Sequence, residues 1–103
     1  MTAARVCLTL VAGRKLRQEL FDYLSEQTDL VPGFTASEGA GHGPNVQLHS
    51  ASERVKGRAD RVLIRIILDD EAAGRLIERL KIVFKGTHLM HWTTPVAKFG
   101  VID

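Results

Sequence analysis

Four histidines, two methionines and one cysteine supply the soft and borderline metal-ligand chemistry of this sequence. His42 stands between Gly41 and Gly43, in a stretch from Gly39 to Pro44 whose glycines and proline argue against any regular element. A histidine in such a stretch faces solvent, and neutral imidazole is the commonest protein metal ligand. His49 follows in the same segment, at a spacing that sets no fixed geometry. His42 and His49 are therefore the candidate metal ligands, to be weighed against the plainer reading of solvated loop histidines. Near the other end, His88, Met90 and Trp92 alternate and share one face of an expected strand, with Leu89, His91 and Thr93 on the other. A histidine–methionine pair suits Cu(I), because a thioether is soft. Methionine is more often a filler of cores. Cys7, in an apolar strand, reads as a buried and inert thiol.

A second group is basic. Arg54, Lys56, Arg58 and Arg61 cluster around Gly57. Guanidinium groups hold phosphate or carboxylate bidentately, and a glycine lets backbone approach a ligand closely. With Gly41, His42 and Gly43 they form the candidate ligand-binding set. The competing reading is a solvated charged stretch with Glu53 and Asp60 as local partners. Asp69 and Asp70 are placed to cap a helix rather than to catalyse. The sequence carries no nucleophile motif, no phosphate-binding Walker loop and no zinc-enzyme spacing, so no enzymatic activity is expected.

These residues must be positioned by few elements. Val6 to Val11 alternates as a strand, and Gly13 breaks it. Leu16, Leu20 and Leu24 recur at helical spacing, predicting a helix from Arg14 to about Asp29. Pro32-Gly33 turns the chain into a short strand over Phe34 to Glu38. Periodicity then stops, and a polar loop spans about 39–59. Loops of that length in small domains are functional or disordered. From Arg61, Val62, Ile64, Ile66 and Leu68 face one way along a strand, with Leu63, Arg65 and Ile67 on the other. Ala73, Leu76, Ile77, Leu80, Val83 and Phe84 trace a helical stripe that ends before Gly86. Thr87 to Thr93 is a last strand, which Pro95 ends or places at an edge. This βαββαβ order predicts an α+β, ferredoxin-like fold, a four-stranded antiparallel sheet with two helices on one face.

The chain has 103 residues, of which 45% are hydrophobic and 25% charged, which fits one globular domain over 1–103. A net charge of +2 is too small for a dedicated nucleic-acid binder. One cysteine precludes an internal disulfide and favours a reducing compartment. No apolar run approaches the ~20 residues that insertion into a membrane needs. Composition thus points to a cytoplasmic protein.

Two helices cover only one face of a sheet, yet the first strand and the third are apolar on both faces. The uncovered face is expected to meet another subunit, since apolar patches of that extent are uncommon on monomers. The alternative is partial cover by the long loop and the C-terminal tail.

Four segments carry a resemblance: Val31-Pro-Gly-Phe-Thr35, Gly41-His-Gly43, Val55-Lys-Gly-Arg58 leading to Arg61-Val62, and His91-Trp-Thr-Thr-Pro-Val96. In this order the chain resembles the PII-like (GlnB-like) proteins. It is most similar to a bacterial branch of unknown function often encoded beside heavy-metal efflux pumps. The resemblance implies a homotrimer, ligands in clefts near the base of a mobile loop (the T-loop), and a regulatory or sensor role in heavy-metal homeostasis, with an efflux-pump component as partner. A trimer could also gather one histidine per subunit into a three-histidine site. Alternatives are a soluble metal-binding protein without a signalling role, and a trimer that binds nucleotides or small anions. Signalling PII proteins carry a glycine-rich phosphate-binding segment after the second helix. Here Lys85-Gly-Thr87 is expected to pass directly from helix to strand, and the only tyrosine, Tyr23, lies in the first helix. A PII-type ATP or ADP site and tyrosine modification of the loop are therefore not expected, and a transition metal is the cofactor to consider.

Overall fold

The computed structural model describes residues 4–44, 46 and 48–103. Strand β1 (Arg5–Gly13) leads through a 3-10 turn (Arg14–Leu16) into helix α1 (Arg17–Glu26). Strand β2 (Thr35–Gly41) is followed by a short helix α2 (Ala51–Lys56), strand β3 (Ala59–Asp69), helix α3 (Asp70–Val83) and strand β4 (Met90–Pro95). The strands form one antiparallel sheet in the order β2-β3-β1-β4, as a ferredoxin-like fold requires.

Alternation in β1 and β3 decides which face becomes the core. Val6, Leu8, Leu10 and Ala12 pair with Leu68, Ile66, Ile64 and Val62, and all eight are buried. Leu20 and Leu24 of α1 and Ala73, Leu76 and Leu80 of α3 close over them. Tyr23 packs edge-to-face on Phe84, and Phe21 and Phe34 form a tilted pair, at the margin of this core. Arg79 of α3 clamps the α1–β2 connection, donating to both carboxylate oxygens of Asp29 at 3.0 and 2.8 Å and to Gln27 Oε1 at 2.8 Å.

The segment 39–59 is not one irregular loop. Gly39, Ala40 and Gly41 continue β2, α2 occupies 51–56, and β3 begins two residues before Arg61. Nor is the helix from Arg14 uniform, since its first turn is 3-10 and α1 ends at Glu26. Asp69 holds the N-cap position of α3, but its side chain makes no capping bond. The helix start is fixed instead by the Asp70 N–H donating to the Ala4 carbonyl at 2.8 Å, with Asp70 and Glu71 favourably placed against the helix dipole. The α3–β4 connection runs from Phe84 to Leu89, longer than Lys85-Gly-Thr87 alone, because β4 starts only at Met90. Pro95 closes β4, which is an edge strand.

The second face of the sheet carries Cys7, Thr9 and Val11 beside Ile67, Arg65 and Leu63 on one side and Thr94, Trp92 and Met90 on the other. Thr9 and Val11 are already 4% and 7% exposed, covered by these flanking side chains. Met90 and Trp92 are 50% and 47% exposed. The uncovered apolar surface therefore belongs chiefly to β4 and less to β1. Cys7 is half-buried, not enclosed. Among the described residues no helix is long and apolar enough to cross a membrane.

Candidate functional site

β2 is built from Thr, Ala, Ser, Glu and Gly, with no large apolar side chain. Its glycines are explained by what lies across them. A Cβ at Gly39 would stand 2.6 Å from Leu63 Cδ1, and one at Gly41 would stand 2.9 Å from Arg61 Nε and 3.3 Å from its Cγ. The Arg61 side chain thus lies flat over the end of β2. Its Nη1 also stands 3.9 Å from where a Cβ of Gly13 would be, so the guanidinium reaches toward the end of β1 as well. Small residues on both neighbouring strands make the seat for one arginine. Arg61 is half-buried, and among the described residues no carboxylate pairs with it.

The other basic candidates lie outside this seat. Arg54 and Lys56 are exposed on α2, and Lys56 pairs with Asp60 at 3.7 Å. Arg58 is exposed in the link to β3. Gly57 adopts the left-handed conformation, φ 70°, that ends α2 and turns the chain back toward the sheet. Gly41 is the last residue of β2, and the exposed His42 and Gly43 follow it directly. Gly41 pairs with Ala59, so both ends of the 42–58 segment are fixed side by side next to Arg61.

Glu53 is a residue that composition and periodicity pass over. It is 7% exposed, and its carboxylate organises the segment. Oε1 accepts the N–H of His49 at 2.7 Å and of Ser50 at 3.2 Å, while Oε2 accepts the N–H of Asp60. Ser50 Oγ in return accepts the Glu53 N–H at 3.1 Å. These donors, His49 first, hold the Glu53 carboxyl below the usual glutamate range, against the opposing effect of desolvation. The sequence signal was present in Ser50-Ala-Ser-Glu53, which is the capping-box pattern.

His42 and His49 are both exposed, and His49 is engaged through its backbone in the α2 cap. Among the described residues no three His, Cys, Asp or Glu side chains gather as a metal centre. His88 does not share a face with Met90, as alternation suggested, because it precedes β4 and has φ 60°. His91 pairs with Leu10 on the helix-covered face, whereas Met90 pairs with Val11 on the other. The histidine–methionine pair is thus divided between the two sides of the sheet.

The family described as "Protein of unknown function (DUF3240)" matches residues 2–103. No curated protein matches the chain. Among solved structures, a DUF3240 family protein from Shewanella baltica is similar at 18% identity and TM-score 0.78, over 99% of this chain and 100% of that one. A protein described as PII-like and signalling, from Thermus thermophilus, is 19% identical with TM-score 0.63, over 93% and 90%. CPII from Thiomonas intermedia, described as a nitrogen regulatory PII-like protein bound to ADP, AMP and bicarbonate, is 16% identical with TM-score 0.69, over 95% and 96%. These likenesses place the fold among the PII-like proteins.

Proposed function

The chain belongs to the DUF3240 family, and from that premise we propose that it is a PII-like regulatory protein whose 42–58 segment responds to a small anion held at Arg61. The observation that carries this reading is the Arg61 guanidinium. It is half-buried at the root of the segment, seated over Gly41, with no carboxylate partner among the described residues. A guanidinium in that position offers a planar fork to a carboxylate, bicarbonate or phosphate group. Gly41 and Ala59 are paired beside it, so a bound anion would touch both roots of the segment. Regulation then needs only that the anion bind one segment conformation better than another. CPII, bound to ADP, AMP and bicarbonate, supports the anion class, since all three are anions at neutral pH. The reading is non-enzymatic.

Assembly as a homotrimer through the Met90–Trp92 face completes the proposal, on the strength of that exposed apolar surface. A link to heavy-metal efflux, with a pump component as partner, rests on the family resemblance alone. His42 and His49 are the residues that would serve it. Calorimetry with bicarbonate, ADP and Zn(II) on the wild type, Arg61→Ala and His42→Ala separates the readings. Anion binding lost in Arg61→Ala and kept in His42→Ala is the expected result. Anion binding that is absent at millimolar concentration, or that survives Arg61→Ala, would sink the proposal. Zinc binding lost only in His42→Ala would favour a metal-binding protein instead.

A further inference from the structure

A cavity of about 300 Å³ opens between the C-terminal end of α3 and the start of β4, on the helix-covered side of the sheet and separate from the Arg61 seat. Leu80 and Phe84 belong to its apolar lining, while Lys81, Lys85, His88 and His91 supply its polar groups. No carboxylate lines it among the described residues. The nearest acid in sequence, Glu78, pairs with Lys81 at 3.2 Å, with both side chains largely exposed. An exposed pair of this kind is worth little and yields readily to a competing ligand.

The backbone gives an independent pointer. His88 is the only described non-glycine residue with positive φ, at 60°. A histidine held in the left-handed region costs conformational energy that the surroundings must supply, and such residues concentrate at ligand sites. Here the strained residue lies between Gly86, φ 82°, and the partly buried Leu89. The turn is anchored by Thr87, whose N–H and hydroxyl both donate to the Phe84 carbonyl, at 3.2 and 2.6 Å. Two ammonium groups line the same cavity as the two imidazoles. Their charge opposes a metal cation there and favours an anion.

We propose that this cavity binds a small amphipathic carboxylate, with its apolar tail on Leu80 and Phe84 and its carboxylate among Lys81, Lys85, His88 and His91. A volume of 300 Å³ lies at the lower end of the ligand-pocket range, which suits a short aliphatic or aromatic acid. The site is complete within one chain and does not depend on the anion seat at Arg61.

The test is an NMR titration with hexanoate, hexanol, hexylammonium and Zn(II), following the imidazole resonances of His88 and His91. Hexanoate is expected to give saturable shifts, with hexanol at least tenfold weaker and hexylammonium silent. The double variant Lys81→Gln/Lys85→Gln, at two exposed positions, should retain the fold by circular dichroism and weaken hexanoate at least tenfold. Leu80→Ala, its fold checked in the same way, should also weaken hexanoate. Hexanoate binding that is absent, or indifferent to the double lysine variant, would overturn the proposal. Saturable binding of Zn(II) at both imidazoles would overturn it in favour of a metal site.

Discussion

Ser50 and Glu53 cap one another: the Ser50 hydroxyl accepts the Glu53 N–H at 3.1 Å, and the Glu53 carboxylate accepts the Ser50 N–H at 3.2 Å. The same carboxylate also takes the N–H of Asp60 at the start of β3. One acid therefore determines both where α2 begins and how it joins the sheet.

This arrangement carries a pH dependence. Glu53 titrates below the ordinary glutamate range in the folded chain because backbone N–H groups stabilise its charged form. The stabilisation is fully present above the unfolded-state value of about 4.3 and is lost as pH falls through the lower folded-state value. Protection of the His49 and Asp60 amides, taken relative to their intrinsic exchange rates at each pH, should be high at neutral pH and fall under acid, before that of Leu8 or Ile66. Glu53→Gln should show the reduced protection already at neutral pH. Ser50→Ala, which removes one cap bond, should cost about 1 kcal/mol of α2 stability.

Gly41→Ala places a methyl group against Arg61 Nε and Cγ, at 2.9 and 3.3 Å. The arginine can swing away, so the sheet should remain folded with little change in Tm. The seat should not survive. Anion affinity measured by calorimetry is expected to fall as far in Gly41→Ala as in Arg61→Ala.

Two aliphatic residues of α3 should respond very differently to truncation. Leu76 is fully buried under the sheet, and Leu76→Ala should cost about 2–5 kcal/mol in urea unfolding. Ile82 is 78% exposed, and Ile82→Ala should stay within about 0.5 kcal/mol of wild type.

Trp92→Glu puts a charge on the exposed apolar part of the second face, on edge strand β4 next to Thr9. Light scattering should show wild type at three times the 11.4 kDa chain mass and the variant at one chain mass. Val55→Glu, on the outer side of α2, should leave the assembly intact. A wild-type protein of single-chain mass would refute assembly through this face.

What could be read from sequence follows from which signals are local. Val62, Ile64, Ile66 and Leu68 announce themselves because one-sided burial imposes a two-residue period. The helical stripe through Leu76 and Leu80 is legible for the same reason. α2 has no stripe to read, since Val55 is exposed and the buried residue is the acid Glu53. Its evidence was the short Ser50–Glu53 cap pattern. Gly39 and Gly41 were misleading in another way. Their presence suggests a broken element, but they remain in the strand because side chains from β3 occupy the space their own would fill. That reason is tertiary and cannot be seen from neighbours in sequence. His88 fails similarly, because alternation assumes a strand that begins only at Met90.

β1 lies at the centre of the sheet, and its two neighbours come from residues 59–69 and 90–95. During synthesis it leaves the ribosome with both hydrogen-bonding edges open, and neither neighbour exists until many more residues have followed. The first of the four strands to be made is thus among the last to be satisfied. Such non-local pairing slows folding and leaves an apolar strand open to association in the interval. For this small protein, the vulnerable moment is birth: the central strand must be kept from other nascent chains until its own second half arrives.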